Sequence, residues 1–474
     1  MDREYKVIIG LEVHVELKTN TKIFCSCKSD FSSDPNTNIC PVCLGLPGGL
    51  PRLNKKVVEY AIMAGLSTNC SIRERGRQDR KNYFYPDSPK AYQISQDDLP
   101  ICYDGYLDIS AGGREKEIGI ERIHIEEDAG KLIHGEGETL VDFNRAGVPL
   151  IEIVTLPVLE DEEQVVDFLQ KLRNIMIYTG ISDARMNEGS FRCDVNISLS
   201  KDSNILGTRA EIKNLNSFNS IRKAIKIEIK RQEEVLREDG SVVQETRGYD
   251  DNRSITYSMR EKEEEGDYRY FPDPDLAPIF ISREFLNRLN DKLPELAHDR
   301  KNKYMKKYGL NSYDAEQVII SKEVADFFEE CMKYTSYSKT LVNILVSEIF
   351  SLSDPKEFDI NIKAEYLGEL VNFLEEGKIS NNGSKKVINI MNKSGGRPEE
   401  IIKENSLGQI NDTKRLEDLA SEALENNGKA AEEYKSGKKK ALQSIIGEIM
   451  RETRGRANPK LIKDILEEKL KTRS

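Results

Sequence analysis

The sequence predicts an α+β fold: a strand-rich region of about 290 residues followed by an all-helical one. Two observations carry this. Residues 1 to about 290 read as many short strands punctuated by Gly, Pro, Asn and Asp, with three helical stretches among them. From about 283 onward, apolar residues instead recur three and four apart. The strands do not alternate regularly with helices, as a doubly wound parallel sheet would require, which selects α+β over α/β.

Taken in order, Val7–Leu17 (VIIGLEVHVEL) alternates strictly in its second half and is the first expected strand. Helices are expected over 54–67, 160–179 and 217–238, the last stopped by Asp239-Gly240. Between them His124-Ile125-Glu126-Glu127-Asp128 ends a candidate strand, and Arg192–Leu199 and Arg209–Lys213 alternate as strands. Helical periods follow at 322–334, 338–351, 363–376 and 383–393, before the break Gly395-Gly396-Arg397-Pro398. Short amphipathic helices fill the rest. The expected domains are therefore 1–290, 291–400 and 401–474, in keeping with a chain of 474 residues, too long for one ordinary core.

Composition bounds the function. The chain is 38% hydrophobic and 32% charged, with no tryptophan and no apolar run near the roughly 20 residues that span a bilayer. Its first residues lead into a strand-like segment without a signal-peptide core, so a cytoplasmic protein with no membrane partner is expected. The net charge of −11 argues against a protein coated in nucleic acid, but the charge is uneven. Lys429–Ser474 holds 13 Lys/Arg against 7 Asp/Glu, a local excess of +6, so the remainder carries −17. An acidic body with a basic tail suits carboxylate chemistry joined to polyanion binding; a solvated helix face is the plainer alternative.

Four of the eight cysteines, Cys25, Cys27, Cys40 and Cys43, form two close pairs twelve residues apart. Such a set suits a closed tetrahedral zinc site with a structural role, with an iron–sulfur cluster or unmetallated thiols as alternatives. Cys70, Cys102, Cys193 and Cys331 stand singly in apolar surroundings and read as core thiols.

Several strands pair an apolar face with a polar one. Glu12, His14 and Glu16 share a face opposite Val13 and Val15; Asp194 and Asn196 share one opposite Cys193, Val195 and Ile197; Glu211 and Lys213 share one opposite Ala210 and Ile212. One such face would simply meet water. With the three consecutive acids that end the strand at His124–Asp128, four strands with acids at similar places predict a carboxylate-rich concavity able to hold Mg²⁺ and, through it, nucleotide phosphates. No phosphate-binding Gly-rich loop is present, so Lys81, Arg80, Lys90 and Arg145 are the candidate phosphate cations. Two aromatic stretches, Asn82–Asp87 and Asp267–Asp273, either stack on bases of a nucleic-acid end or pack beside proline turns.

At this point the residues resemble a known family. GLEVHVEL from Gly10, DRKNYFYPDSPKAYQISQ from Asp79, HIEEDAGK from His124, DFNRAGVPLIEI from Asp142, Arg192–Leu199, RAEIKNLNSF from Arg209 and Asp267–Leu276 are similar to the B-subunit family of aspartyl/glutamyl-tRNA(Asn/Gln) amidotransferases. The resemblance covers nearly the whole chain and is densest over its first 280 residues. It implies a glutamine synthetase-like catalytic cradle with a zinc-binding loop, an all-α helical domain and a small all-α YqeY-like tail.

It further implies ATP-dependent phosphorylation of the side-chain carboxylate on misacylated Glu-tRNA(Gln) or Asp-tRNA(Asn). Amidation follows, so the protein would be the kinase/transamidase subunit of a glutamine-hydrolysing ligase. Matching motif positions imply Glu12, His14, Glu127, Asp194 and Glu211 around Mg²⁺, with Glu126 as an alternative to Glu127. ATP phosphates would meet Lys81, Arg80, Asn196 and Lys213. The basic tail makes Lys438, Lys439, Lys440, Arg454 and Arg456 the candidate tRNA contacts. No amidase-like Gly-Gly-Ser-Ser run occurs, so ammonia is expected from an amidase (glutaminase) subunit, with a small third subunit making up a heterotrimer. Two other classes compete: a glutamine synthetase-type ligase for a free amino acid, which needs no basic tail, and a non-catalytic zinc-containing tRNA-binding subunit, which leaves the acidic faces without purpose.

Overall fold

The computed structural model describes residues 5–30, 33–201, 205–261, 268–355, 358–436, 438–453 and 455–472. The chain divides into two compact units, Met1–Leu296 and Ala297–Ser474.

The first unit is built on a nine-stranded sheet. In chain order its strands are β1 (Lys6–Glu16), β2 (Ser71–Ile72), β3 (Cys102–Ala111), β4 (Arg114–Glu127), β5 (Pro149–Thr155), β6 (Phe191–Ser200), β7 (Ala210–Lys213), β8 (Glu245–Asp250) and β9 (Ile255–Glu261). Their spatial order is β9-β8-β7-β6-β1-β5-β4-β3-β2. All neighbours are antiparallel except β7 and β8, which run parallel.

Three helices cover one face of this sheet: α1 (Lys55–Ser67), α2 (Glu162–Tyr178) and α3 (Phe218–Arg237). Each starts where a side-chain oxygen accepts from an otherwise unpaired backbone N–H, supplied by Asn54, Asp161 and Ser217 respectively. Beneath them the apolar residues on one face of the strands, such as Val13, Val15, Ile123, Ile153, Val195 and Ile197, join Phe168 and Leu172 of α2 and Ile221 and Ile225 of α3 in one core. The polar residues of those strands are left on the uncovered face, as period two requires.

A separate three-stranded sheet pairs Asp79–Asn82 with Tyr92–Ser95 on one side and Phe271–Pro272 on the other. It brings the two aromatic stretches together, although Asp267 itself lies outside the described residues. The expected helices at 322–334, 338–351, 363–376 and 383–393 correspond to Lys322–Cys331, Ser338–Ser347 with a 3₁₀ turn at Ile349–Ser351, Ala364–Glu375 and Asn381–Ser394. Gly395 ends the last of these at φ 67°, where a side chain would be strained. The second unit holds two hydrophobic clusters, one from Tyr304 to Ile401 and one from Leu416 to Leu470. Among the described residues, no helix is long and apolar enough to cross a membrane.

Candidate functional site

The middle of the uncovered face is a polar array set by strand register. His124, Glu152, His14 and Arg192 lie directly opposite one another across β4, β5, β1 and β6. One pair of residues along, Asp194 faces Glu12, and beyond it Asn196 faces Glu211. Directly opposed residues project to the same side, so these groups must converge.

They converge as two clusters. In the first, His14 Nε2 lies 3.4 Å from both Glu126 Oε1 and Glu152 Oε2, and His124 Nε2 lies 3.3 Å from the same Glu152 oxygen. In the second, Glu12, Asp194 and Glu211 bring one carboxylate oxygen each within 4.8 Å of the others. Either set has the donors and spacing to hold a hard cation. The expected single ligand set is thus split in two.

The electrostatics follow from burial and like charge. Glu12 is pushed above the usual carboxylate range by burial and then by Glu152, Glu211 and Asp194. Burial works against the charge on His14 and His124, but Glu152 and Glu126 outweigh it and raise each to about 9. Glu152 is held well below the ordinary range: burial opposes its charge, and the two histidines overcome that opposition. Excess negative charge concentrated this way is what a divalent cation relieves.

Cations and amides rim the clusters. Lys213 Nζ lies 2.6 Å from Asp194 and 3.2 Å from Glu211. Asn196 Nδ2 donates to Glu12 at 3.0 Å. Arg192 pairs with Asp128 at 2.9 Å, and Arg145 lies 3.5 Å from the same carboxylate oxygen. A cavity of about 500 Å³ is lined by His14, Glu126, Asp194, Lys213, Arg192 and Lys90, among others.

Not every expected residue joins the clusters. Glu127 has the opposite parity to Glu126, so its carboxylate turns away from the two clusters, pairs with Lys90 and accepts from Ile94 N at 2.9 Å. Glu126 takes the position next to His14 instead. Arg80 is engaged by Asp273 at 2.7 Å and Asp275 at 2.9 Å and stacks on Tyr92, which ties its guanidinium to the small sheet. Lys81 lies over the Tyr268 ring at 4.7 Å. Burial opposes its charge, but Tyr270, Glu126 and Glu152 raise its pKa, so it feels the first cluster. Tyr83 and Tyr85 stack at 5.7 Å, with Phe84 exposed beside them.

Sequence reading passed over Glu152, His124 as a cluster member, and Arg192. Glu152 is a lone carboxylate inside Leu150–Val154 (LIEIV), a pattern that otherwise reads as a buried strand.

The four clustered cysteines bring their sulfurs within 4.8 Å of one another, so this set could hold a metal ion. A hydrogen bond from Cys25 is the main influence lowering the Cys43 thiol to about 5, with burial opposing and Lys22 assisting. Lys22 is fully buried and donates to Asn38 O at 3.0 Å. The loop is stitched to the turn before β5 by Asn36 N to Asp142 at 3.0 Å and Asn38 N to Asn144 at 2.8 Å. That turn supplies Val148 O to Asp128 N at 2.8 Å, so the loop supports the rim of the cavity. The other four cysteines are buried.

In the tail, Lys438, Lys439 and Lys440 are exposed. Arg456 is turned inward, donating to Ser406 O at 3.2 Å and Thr453 O at 3.3 Å. Arg454 lies outside the described residues.

Comparison with known proteins adds two family matches, the GatB/GatE catalytic domain over residues 7–287 and the GatB domain over 326–470. Among curated relatives, the aspartyl/glutamyl-tRNA(Asn/Gln) amidotransferase B-subunit of Caldicellulosiruptor saccharolyticus is 52% identical over 98% of this chain and 99% of its own. The B-subunit of the same name from Carboxydothermus hydrogenoformans is 51% identical over 99% of both chains. That from Geobacter sp. is 48% identical over 98% of this chain and 99% of its own.

Proposed function

The chain belongs to the B-subunit family of aspartyl/glutamyl-tRNA(Asn/Gln) amidotransferases, and on that premise we propose that it activates the side-chain carboxylate of a misacylated tRNA with ATP and passes it to ammonia. The observation that carries this reading is the pair of carboxylate clusters side by side on one sheet face, rimmed by lysines and arginines over a cavity. Glu12, Asp194 and Glu211 would hold one Mg²⁺, and His14, Glu126 and Glu152 another. Bound there, Mg²⁺ supplies charge neutralisation to the phosphates of ATP.

The chemistry needs no nucleophile from the protein. A carboxylate is a poor acyl donor because oxide would have to leave. In the first step a carboxylate oxygen of Glu-tRNA(Gln) or Asp-tRNA(Asn) attacks the γ-phosphorus, and ADP departs. In the second, ammonia attacks the acyl carbon, the C–O bond to phosphate breaks, and phosphate and a proton leave with the amide formed. The chain's own work is to position these groups and stabilise their charge. Lys213 is the cation in contact with the second cluster, Lys81 feels the charge of the first, and Asn196 orients Glu12. Ammonia would come from an amidase (glutaminase) subunit, with a small third subunit making up a cytoplasmic heterotrimer. The tail's exposed lysines would meet tRNA phosphates.

The four clustered cysteines are read as a structural zinc site, since four thiolates leave no open coordination position. Metal analysis that finds a folded chain without zinc would refute that.

The decisive test follows labelled γ-phosphate from ATP in the assembled complex with mischarged Glu-tRNA(Gln) and no ammonia donor, beside Glu12→Gln and Glu211→Gln. Phosphate release that needs the mischarged tRNA, and that both variants lose while still assembling, is the expected result. Release that ignores the tRNA or survives both changes would reduce this chain to a tRNA-holding scaffold. Release driven by a free amino acid would make it a small-molecule ligase.

A further inference from the structure

Glu211 lies on β7, a strand of four residues that gains its outer neighbour only through the parallel pairing with β8. In that pairing Glu211 stands opposite Thr246. The Thr246 hydroxyl donates to Glu211 Oε2 at 2.9 Å, and both residues are less than a tenth exposed. The other oxygen of the same carboxylate faces Lys213 at 3.2 Å. One oxygen is thus fixed by a neutral donor and the other by a cation that a bound metal would have to displace.

The hydroxyl is itself held. The β8–β9 register shifts between Thr246 and Arg247, an irregularity of the kind that re-aims side chains beside functional sites. Arg247 is tied down by Thr256 O at 2.9 Å, by Glu245, and by the fully buried Glu228 of α3 at 3.4 Å. Glu228 in turn accepts from Arg231 at 2.6 Å and Gln232 at 2.8 Å. Thr246 is β-branched and stiff at χ1, so with its neighbour anchored its hydroxyl has little freedom to turn away.

We propose that Thr246 is a positioning residue: its hydroxyl sets the orientation of the Glu211 carboxylate for the metal–nucleotide site, an inference that rests on the reading of Glu12, Asp194 and Glu211 as metal ligands. Partners behind a metal ligand commonly govern 10- to 100-fold in metal affinity. A threonine that merely fills the sheet would affect melting and leave metal binding alone.

The test titrates the full-length chain with Mn²⁺ alone and follows free Mn²⁺ by electron paramagnetic resonance, with thermal melting in parallel. The chains compared are wild type, Thr246→Val, Thr246→Ser and Glu211→Gln. The valine variant keeps shape and branching but loses the donor, and it should bind Mn²⁺ at one site about 10- to 100-fold more weakly. The serine variant keeps the donor and loses a methyl group; it should melt lower yet stay within about threefold of wild-type affinity. If Glu211→Gln loses that site while Thr246→Val does not, the proposal fails and the metal reading stands. Equal weakening by valine and serine would assign the effect to packing and also overturn it. Wild-type binding by Glu211→Gln would overturn the metal reading and the proposal together.

Discussion

Glu152 is the residue on which the first cluster turns, because one of its oxygens faces both His14 at 3.4 Å and His124 at 3.3 Å. Replacing it with Gln keeps the size and removes the charge that holds both rings. In the proposed function, Glu152→Gln should lower tRNA-dependent phosphate release by about 100-fold or more, the scale of losing a metal ligand or its support. Glu121→Gln, an exposed change on the neighbouring strand β4, should leave release within about twofold. Equal rates for the two variants would remove Glu152 from the site. Glu12, His14, Asp194 and Glu211 were legible as polar members of alternating strands. Glu152 was not, since nothing local marks which carboxylate in an apolar run will meet partners on the strands beside it. Which of Glu126 and Glu127 sits beside His14 was readable from parity: His124 and Glu126 alternate with Ile123 and Ile125, and Glu127 falls in step with the isoleucines.

At the scale of elements, α3 and the β8–β9 edge are joined by a buried charge network rather than by apolar packing alone. Glu228 is fully buried and engaged by Arg231, Arg247, Gln232 and Thr256. Removing one member of such a set leaves uncompensated charge in the interior and costs roughly 3–5 kcal/mol. Glu228→Ala should therefore cut the denaturation free energy of the first unit by about that amount, while Glu234→Ala, on an exposed turn of α3, should change it by less than about 0.5 kcal/mol. A melting curve unchanged in Glu228→Ala would show that the network contributes nothing net.

The α1, α2 and α3 spans were readable from apolar period and capping residues. Ala297–Tyr308 was not, because its buried positions are Arg300 and Tyr304, and an arginine in the core contributes no apolar signal. The parallel pairing of β7 with β8 was equally hidden: it joins strands separated by the whole of α3, and no local pattern encodes a parallel partner.

For the whole molecule, charge separates the roles that the fold keeps apart along the chain. The net −11 combines an acidic body, where carboxylates gather on one sheet face, with a basic tail. The change from strands to helices sets the expected boundary near 290, and the two compact units are Met1–Leu296 and Ala297–Ser474, the second holding both expected helical domains. What composition could not do was tell surface cations from structural ones. Lys438, Lys439 and Lys440 are exposed, whereas Arg456 is bound to Ser406 O and Thr453 O, and its own carbonyl accepts from Ile410 N at 2.7 Å.

The five expected tRNA-binding residues therefore should not behave alike. Replacing the three lysines with Gln should weaken tRNA binding and flatten its dependence on salt by roughly one unit of log–log slope for each phosphate no longer neutralised, leaving the melting temperature unchanged. Arg456→Gln should lower the melting temperature of the tail and leave the salt slope intact, because its hydrogen bonds end on backbone carbonyls of the same unit. Both quantities come from one salt series of binding titrations and one set of melts. A triple variant with unchanged affinity and slope would take the lysine run out of tRNA recognition. An Arg456 variant that flattens the slope without destabilising the tail would mean that the guanidinium exchanges its internal carbonyls for phosphate.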